Sequence, residues 1–235
     1  MDIIIKLVYG MKILKDSKRK LVFILLIFVI TIVSITACTN KPEKEIENDS
    51  YKFEQDSSLS KFINPNIQKE VLESDIGVVA PKLAFASDNY AGILNYNGLL
   101  IYNINDKKLS SAIDIKGLGF DQIQGDKAID ISSNNEYLIL SKFGEKKGYI
   151  YSFEDKYLSK TDDISKIESK RAEYPNFDEI NTVKLKIGEK DKEIDVIKTE
   201  NRYVILILDY NNLKNSDFLE VDKNYDIVSK FKLYK

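Results

Sequence analysis

From Ile76 to the C-terminus the apolar positions fall in short runs of Ile, Leu, Val, Tyr and Phe, broken by clusters of Asn, Asp, Gly, Ser and Lys. Runs of this length bounded by turn-forming residues predict β-strands joined by tight turns. Three stretches share one layout: AFASDNYAGIL followed by GLLIYNINDKKL, AIDISSNNEYLIL followed by GYIYSFEDKYL, and DVIKTENRYVILIL followed by DFLEVDKNYDIV. In each, an apolar strand meets a polar turn, a second strand opens on an aromatic (Tyr90, Tyr137, Tyr203), and a third ends in a turn with an aspartate and a nearby lysine (Asp106, Asp155, Asp222). The three tyrosines are 47 and 66 residues apart. Repeats of this size, none able to bury its own faces, predict an all-β, mainly antiparallel fold of propeller-like repeated meanders. Three are too few to close an ordinary ring, so the arrangement is expected to be open or incomplete; a β-sandwich is the alternative.

Ahead of the repeats the period changes. Lys61 to Asp75 places Ile67, Val71 and Leu72 near one helical face with Pro65 close to the start, which predicts a short helix packed on the β domain. Thr39 to about Ser60 is polar and poor in branched apolar residues and reads as a tether. Lys160 to Asn181, charged and carrying Pro175, reads as a long, partly helical surface insertion.

At the N-terminus, Lys12 to Lys20 holds clustered positive charge, and Leu21 to Ala37 follows without a charge or a proline. That run ends Ile35-Thr36-Ala37-Cys38, two small residues before the chain's only cysteine. The ending resembles the lipobox of bacterial lipoprotein leaders. The resemblance implies that the Cys38 sulfur receives a diacylglyceryl group, that the leader is cut after Ala37, and that Ile35, Thr36 and Ala37 are read by the processing machinery. An uncleaved membrane-spanning helix is the other reading, since a run of about 17 apolar residues lies at the lower edge of spanning length. Both put the rest of the chain on the outer face of the membrane. Met11 is a plausible start. The expected organisation is thus a signal peptide at 1–37, an acylated N-terminus and tether at 38–60, and a β domain at 61–235.

Composition narrows the chemistry. The leader holds six of the 35 basic and two of the 37 acidic residues, which leaves 29 against 35 in the mature part, a net charge of −6. A moderately acidic exterior with dispersed lysines repels nucleic acid rather than steering it in. Histidine is absent. No Ser-His-Asp or Cys-His pair can therefore form, disulfides are impossible within one chain, and zinc loses its favoured ligands. Carboxylate chemistry and oxygen-ligand calcium binding remain. Neither a cofactor nor a metal is expected: the one loop with a suitable look, Asp209-Tyr210-Asn211-Asn212, lacks the spacing of a calcium-binding loop.

Asn97 to Leu140 resembles a segment in the extracytoplasmic C-terminal part of some clostridial membrane antirepressor metallopeptidases of the β-lactam-sensing kind. The features carrying the likeness are Gly98 and Leu99, Tyr102, Asp114-Ile115-Lys116, Gln124-Gly125-Asp126 and the Ser-Asn-Asn turn at 133–135. The resemblance implies an outward-facing accessory β module in a Gram-positive, clostridium-like cell. Peptidase activity does not transfer, since it needs a His-Glu-x-x-His helix.

Two fragments match the penicillin-binding signature, Ser58-Leu59-Ser60-Lys61 and Ser87-Asp88-Asn89, but the Lys-Thr-Gly strand is missing and a turn role accounts for Asp88 and Asn89. The candidate binding loop is Gln124-Gly125-Asp126, where Gly117, Gly119 and Gly125 let backbone amides approach a ligand; a turn-capping role for Asp126 is its structural alternative. Tyr149 and Tyr151 alternate along one strand and are expected to share a packing face. The functional expectation is a lipid-anchored extracytoplasmic binding or sensing protein without catalysis of its own, its partners an envelope protein or cell-wall component. The alternative is a glycan hydrolase acting through paired carboxylates.

Overall fold

A computed structural model describes residues 53–73, 81–121, 128–190, 192–209 and 215–233. The chain divides into two compact units, Met1–Lys52 and Phe53–Lys235, and the description concerns the second. Ile35, Thr36, Ala37 and Cys38 lie outside the described residues, as does the whole signal segment.

Three antiparallel sheets follow one another along the chain. The first runs β1 (Lys82–Ala86), β2 (Tyr90–Leu94), β3 (Leu99–Asn103) and β4 (Lys108–Ile113). The second holds β5 (Ile129–Ser133), β6 (Tyr137–Lys142), β7 (Gly148–Ser152) and β8 (Leu158–Thr161), and adds β9 (Lys170–Arg171) beyond β5. The third holds β10 (Ile194–Lys198), β11 (Arg202–Ile207), β12 (Asp217–Asp222) and β13 (Ile227–Lys232). Each set of four is a meander in which every strand pairs with the next, and β9 returns from β8 to pair with β5. This is the propeller-like all-β fold the repeats predict; the sheets do not close into a barrel, and there are three layers where a sandwich has two.

The first sheet lies in the middle. One of its faces packs Leu99, Ile101, Phe85 and Ile113 against Leu138, Leu140 and Tyr151 of the second sheet. The other packs Leu83, Ile93, Leu100 and Tyr102 against Val204, Leu206 and Phe218 of the third. Burial on both faces is why β3 reads as the unbroken apolar run LLIY instead of alternating. Two aromatic stacks bridge the layers: Tyr90 over Phe153 with centroids 4.3 Å apart, and Tyr102 tilted on Phe218 at 5.2 Å. Gly92 leaves room for the Phe85 ring, which a Cβ there would meet at 2.1 Å.

The outer layers would expose their far faces, and the connection between them covers both. A helix, α2 (Phe177–Ile187), sets Val183 with Ile180 and Ile187 against Val196, Ile205 and Leu219 of the third sheet. It is held by a capping box between Asn176 and Glu179 and ends at Gly188 in the left-handed conformation (φ 78°). Upstream, Ile164 to Ser169 crosses the far face of the second sheet: Ile164 N donates to Lys146 O (2.8 Å), Asn134 Nδ2 to Glu168 O (2.9 Å), and the Ser132 and Ser169 hydroxyls meet at 2.9 Å. Terminal repeats of a stack need such caps. The surface insertion expected over 160–181 is partly helical as predicted, and it is also what finishes both ends of the stack.

Two straps tie the layers edge to edge. On the inner edges, β9 pairs with β5, Lys198 N of β10 donates to Glu173 O (2.8 Å), and the Tyr174 hydroxyl donates to Leu83 O of β1 (2.9 Å). On the outer edges the strap is Phe53–Glu73. Asp56 N donates to Leu158 O of β8 (3.3 Å), Asn64 N to Ala112 O of β4 (2.9 Å), and Gln68 Nε2 to Leu233 O past β13 (3.2 Å). Residues 53–60, expected in the tether, thus belong to the folded body; Leu59 is buried between the first two sheets. The expected helix is present as α1 (Gln68–Glu73), with Ile67, Val71 and Leu72 in the core.

Candidate functional site at the open end of the stack

The strand directions give the stack two ends. The upper end carries the β1–β2, β5–β6 and β10–β11 turns together with the β3–β4, β7–β8 and β12–β13 turns. The lower end carries the β2–β3 and β6–β7 turns and the chain entering and leaving each sheet.

At the upper end one turn is built three times. Ser87, Asn134 and Thr199 each donate their N–H to the carbonyl three residues on (2.8, 3.0 and 2.8 Å). Their side-chain oxygens accept the N–H of that same residue, Tyr90, Tyr137 and Arg202 (3.3, 2.7 and 3.3 Å). Arg202, and not Tyr203, is therefore the counterpart of Tyr90 and Tyr137: in the third repeat the aromatic lies one residue later and faces the other side, stacked on Tyr225 at 5.7 Å. The second set of turns repeats as well, each with a non-glycine residue in the left-handed region: Lys107 (φ 55°), Lys156 (57°) and Tyr225 (69°).

These turns are bound to each other. Asp88 N donates to Asn135 Oδ1 (3.3 Å), and Asn135 Nδ2 returns a bond to Asp88 Oδ2 (3.0 Å). The Arg202 guanidinium donates to Asp88 O and pairs with Glu220, whose side chain is 6% exposed. Ile104 N donates to Asn89 O (2.9 Å) and Phe153 N to Glu136 O (3.0 Å). Ser87-Asp88-Asn89 is thus a turn, as expected, and beyond that expectation a structural junction of three sheets. In the other penicillin-binding-like fragment, Ser58 Oγ donates to Asp56 Oδ1 (2.5 Å) while Lys61 lies over the Phe62 ring (5.0 Å).

The lower end is tied differently. Asn97 of the β2–β3 turn donates to Glu70 O of α1 (3.1 Å), and the β6–β7 turn is held by Ile164. Between the β6–β7 hairpin, the end of β8 and the Leu118–Phe120 stretch opens a cleft of about 220 Å³. Phe120 and Tyr149 form its apolar floor, edge to face at 6.0 Å, and the Tyr149 hydroxyl donates to Leu118 O (3.3 Å). Lys142, Lys147, Lys160, Glu145 and Asp162 supply charges of both signs. At the hairpin tip Phe143 is 73% exposed, its geometry set by Gly144 at φ 80°.

The loop that the sequence nominates, Gln124-Gly125-Asp126, lies outside the described residues, as do Tyr210, Asn211 and Asn212. Phe120, four residues before it, lines the cleft. Tyr149 and Tyr151 share the face that meets the first sheet, as expected; burial pushes the Tyr151 hydroxyl up to about 12. Apart from Tyr149, read only as a packing residue, the cleft residues were missed by sequence reasoning. The one signal for them was the hairpin Lys142-Phe143-Gly144-Glu145-Lys146-Lys147, in which an aromatic is stranded among charges.

Among carboxylates, Asp195 is displaced upward by burial, the condition a general acid needs. Its Oδ2 accepts the Leu83 N–H (2.6 Å) on the inner edge of β1, and it does not line the cleft. Among the described residues no group of three His, Cys, Asp or Glu side chains is placed to hold a metal ion, and no helix is long and apolar enough to cross a membrane.

No family model matches the chain, and no curated protein matches it. Among solved structures, Kluyveromyces lactis Hsv2 (complete loop 6CD) is similar at a TM-score of 0.21 and 8% identity, over 65% of this chain and 37% of that one. A likeness at that level carries no argument.

Proposed function

We propose that the protein is a lipid-anchored binding or sensing protein of the outer membrane face, acylated on Cys38, which takes its partner at the lower end of the stack and performs no chemistry on it. The observation that carries this reading is the unequal treatment of the two ends among the described residues. Loops positioned by a rigid scaffold but not consumed in holding it together are where binding residues gather. The lower end offers a cleft with an apolar floor, charged walls and an exposed aromatic, while the upper turns are engaged with one another. The leader and the solitary Cys38 support the anchor. Each buried methylene contributes about 0.8 kcal/mol, so a diacyl group holds where a single chain does not. Confinement to the membrane plane raises the effective concentration for partners there.

Two experiments test the reading. Fatty-acid labelling of growing cells is expected to mark the wild type and not Cys38→Ala; equal labelling defeats the anchor. Crosslinked capture from intact cells is expected to recover one partner with the wild type and to lose it with Phe143→Ser. Retention of that partner by Phe143→Ser with Tyr149→Ala moves the binding surface elsewhere.

A further inference from the structure

We infer that the lower cleft takes a free zwitterion of amino-acid size, an inference that rests on the binding reading above and names the ligand class for the same site. Two side chains carry it. Lys142, at the end of β6, and Glu145, in the following turn, both line the cleft, yet among the described residues neither takes part in an ion pair. They are three residues apart and opposite in charge, and the hairpin joins them through Glu145 N donating to Lys142 O (3.0 Å), backbone to backbone. Two opposite charges at the rim of one cleft, paired neither with each other nor with a described neighbour, are complementary to a ligand that brings an ammonium and a carboxylate together.

The remaining charges fit the same ligand. Lys147 and Asp162 meet at 3.4 Å with side chains 76% and 93% exposed, a pair that contributes little and opens at little cost. The Asp162 carboxylate is then available to the ligand's ammonium. Lys160 is engaged with Asp56 at 3.7 Å and acts at longer range.

Size fits that ligand: a cavity of 150 Å³ holds benzene, so about 220 Å³ seats on the order of ten non-hydrogen atoms, one amino-acid residue. Phe120 is 4% exposed, which leaves Tyr149 as the apolar surface a ligand meets. An α-amino acid with an apolar side chain matches the lining: carboxylate on Lys142, ammonium on Glu145, side chain against Tyr149.

The test uses the full chain in detergent micelles. The twenty L-amino acids are screened in pools by saturation-transfer NMR, and a binder is titrated calorimetrically beside its N-acetyl amide, a tripeptide bearing it at the free amino end, a tripeptide bearing it at the free carboxyl end, and N-acetylglucosamine. At least one free amino acid is expected to bind, each tripeptide about tenfold more weakly and the N-acetyl amide more weakly still, since each lost charge-assisted bond removes about that much. Lys142→Met and Glu145→Gln are each expected to weaken binding about tenfold, with unchanged thermal midpoints; Asn135→Ala, at the other end, leaves it unchanged. The inference is overturned if no free amino acid binds, if a tripeptide, the N-acetyl amide or the sugar binds as well as the zwitterion, or if both charge variants bind like wild type. Should any of these occur while Phe143→Ser still abolishes capture from cells, the lower end remains the binding surface and only the ligand class is wrong.

Discussion

The two ends of the stack are made from the same three repeats and treated in opposite ways. At the upper end, polar turn residues bond across from sheet to sheet, with Asp88 joined to both Asn135 and Arg202. At the lower end, the turns rest on the connecting segments and leave a charged cleft and an exposed phenylalanine. Beyond the apolar faces buried between the sheets, the three meanders are held by straps, caps and one fastened end, and among the described residues the other end carries fewer such ties. The division resembles the one between the stability face and the working face in other repeat-built scaffolds.

If the upper end is the fastening, its buried ion pair is the place to break it. Arg202→Ala removes the link to Asp88 and leaves Glu220 buried without its partner. A loss of about 4 kcal/mol is expected, read as a lower urea midpoint. A loss below 1 kcal/mol means that the upper junction is ornamental. The outer strap gives a smaller effect: Leu59→Ala empties a side chain 3% exposed between two sheets, at a cost of about 3 kcal/mol.

Asp195 sharpens the picture through pH. Its carboxyl is raised above the ordinary value of 3.8, chiefly by burial, with hydrogen bonds from Leu83 and Val196 opposing. A raised folded-state value means that the unfolded chain ionises first. The stability tied to this group is therefore fully present below 3.8 and is lost as pH rises through the higher folded value. Asp195→Asn keeps an acceptor for Leu83 N and removes that loss. The urea midpoint of the variant relative to wild type is expected to be higher at pH 7 than at pH 3.5; an unchanged difference refutes the assignment. The smallest effect belongs to the lower end, where Phe143→Ser is expected to change stability by less than about 0.5 kcal/mol while binding is lost.

Much of the body was legible because the relevant signals are local. Strand runs, turn residues and the Ile67-Val71-Leu72 face each lie within a few positions of one another, and all three meanders follow from them. The sequence misleads where the deciding contact is distant. Phe53 to Ser60 reads as tether because what orders it is its backbone bonding to groups about a hundred residues away: the Tyr157 hydroxyl donates to Phe53 O (2.5 Å) and the Ser159 hydroxyl to Glu54 O (2.5 Å). The Lys160–Asn181 insertion hides its purpose for the same reason: Tyr174 finds Leu83 only once three sheets are stacked. Tyr203 suggests the wrong register because spacing by residue type ignores which side chain caps the turn; Thr199 settles it at Arg202. The cleft was invisible because Phe120, Lys142, Tyr149 and Asp162 come from separate elements, and glycine-rich sequence drew attention to 124–126 instead.

Site-specific photocrosslinking in intact cells tests the division of labour most directly. A photoreactive residue is placed at Phe143 of the lower hairpin or at Glu136 of the upper turns, in otherwise wild-type protein. The account predicts a discrete adduct from position 143 and none from 136. Adducts from 136 alone would contradict it, because the fastened end would then be the one that meets the partner.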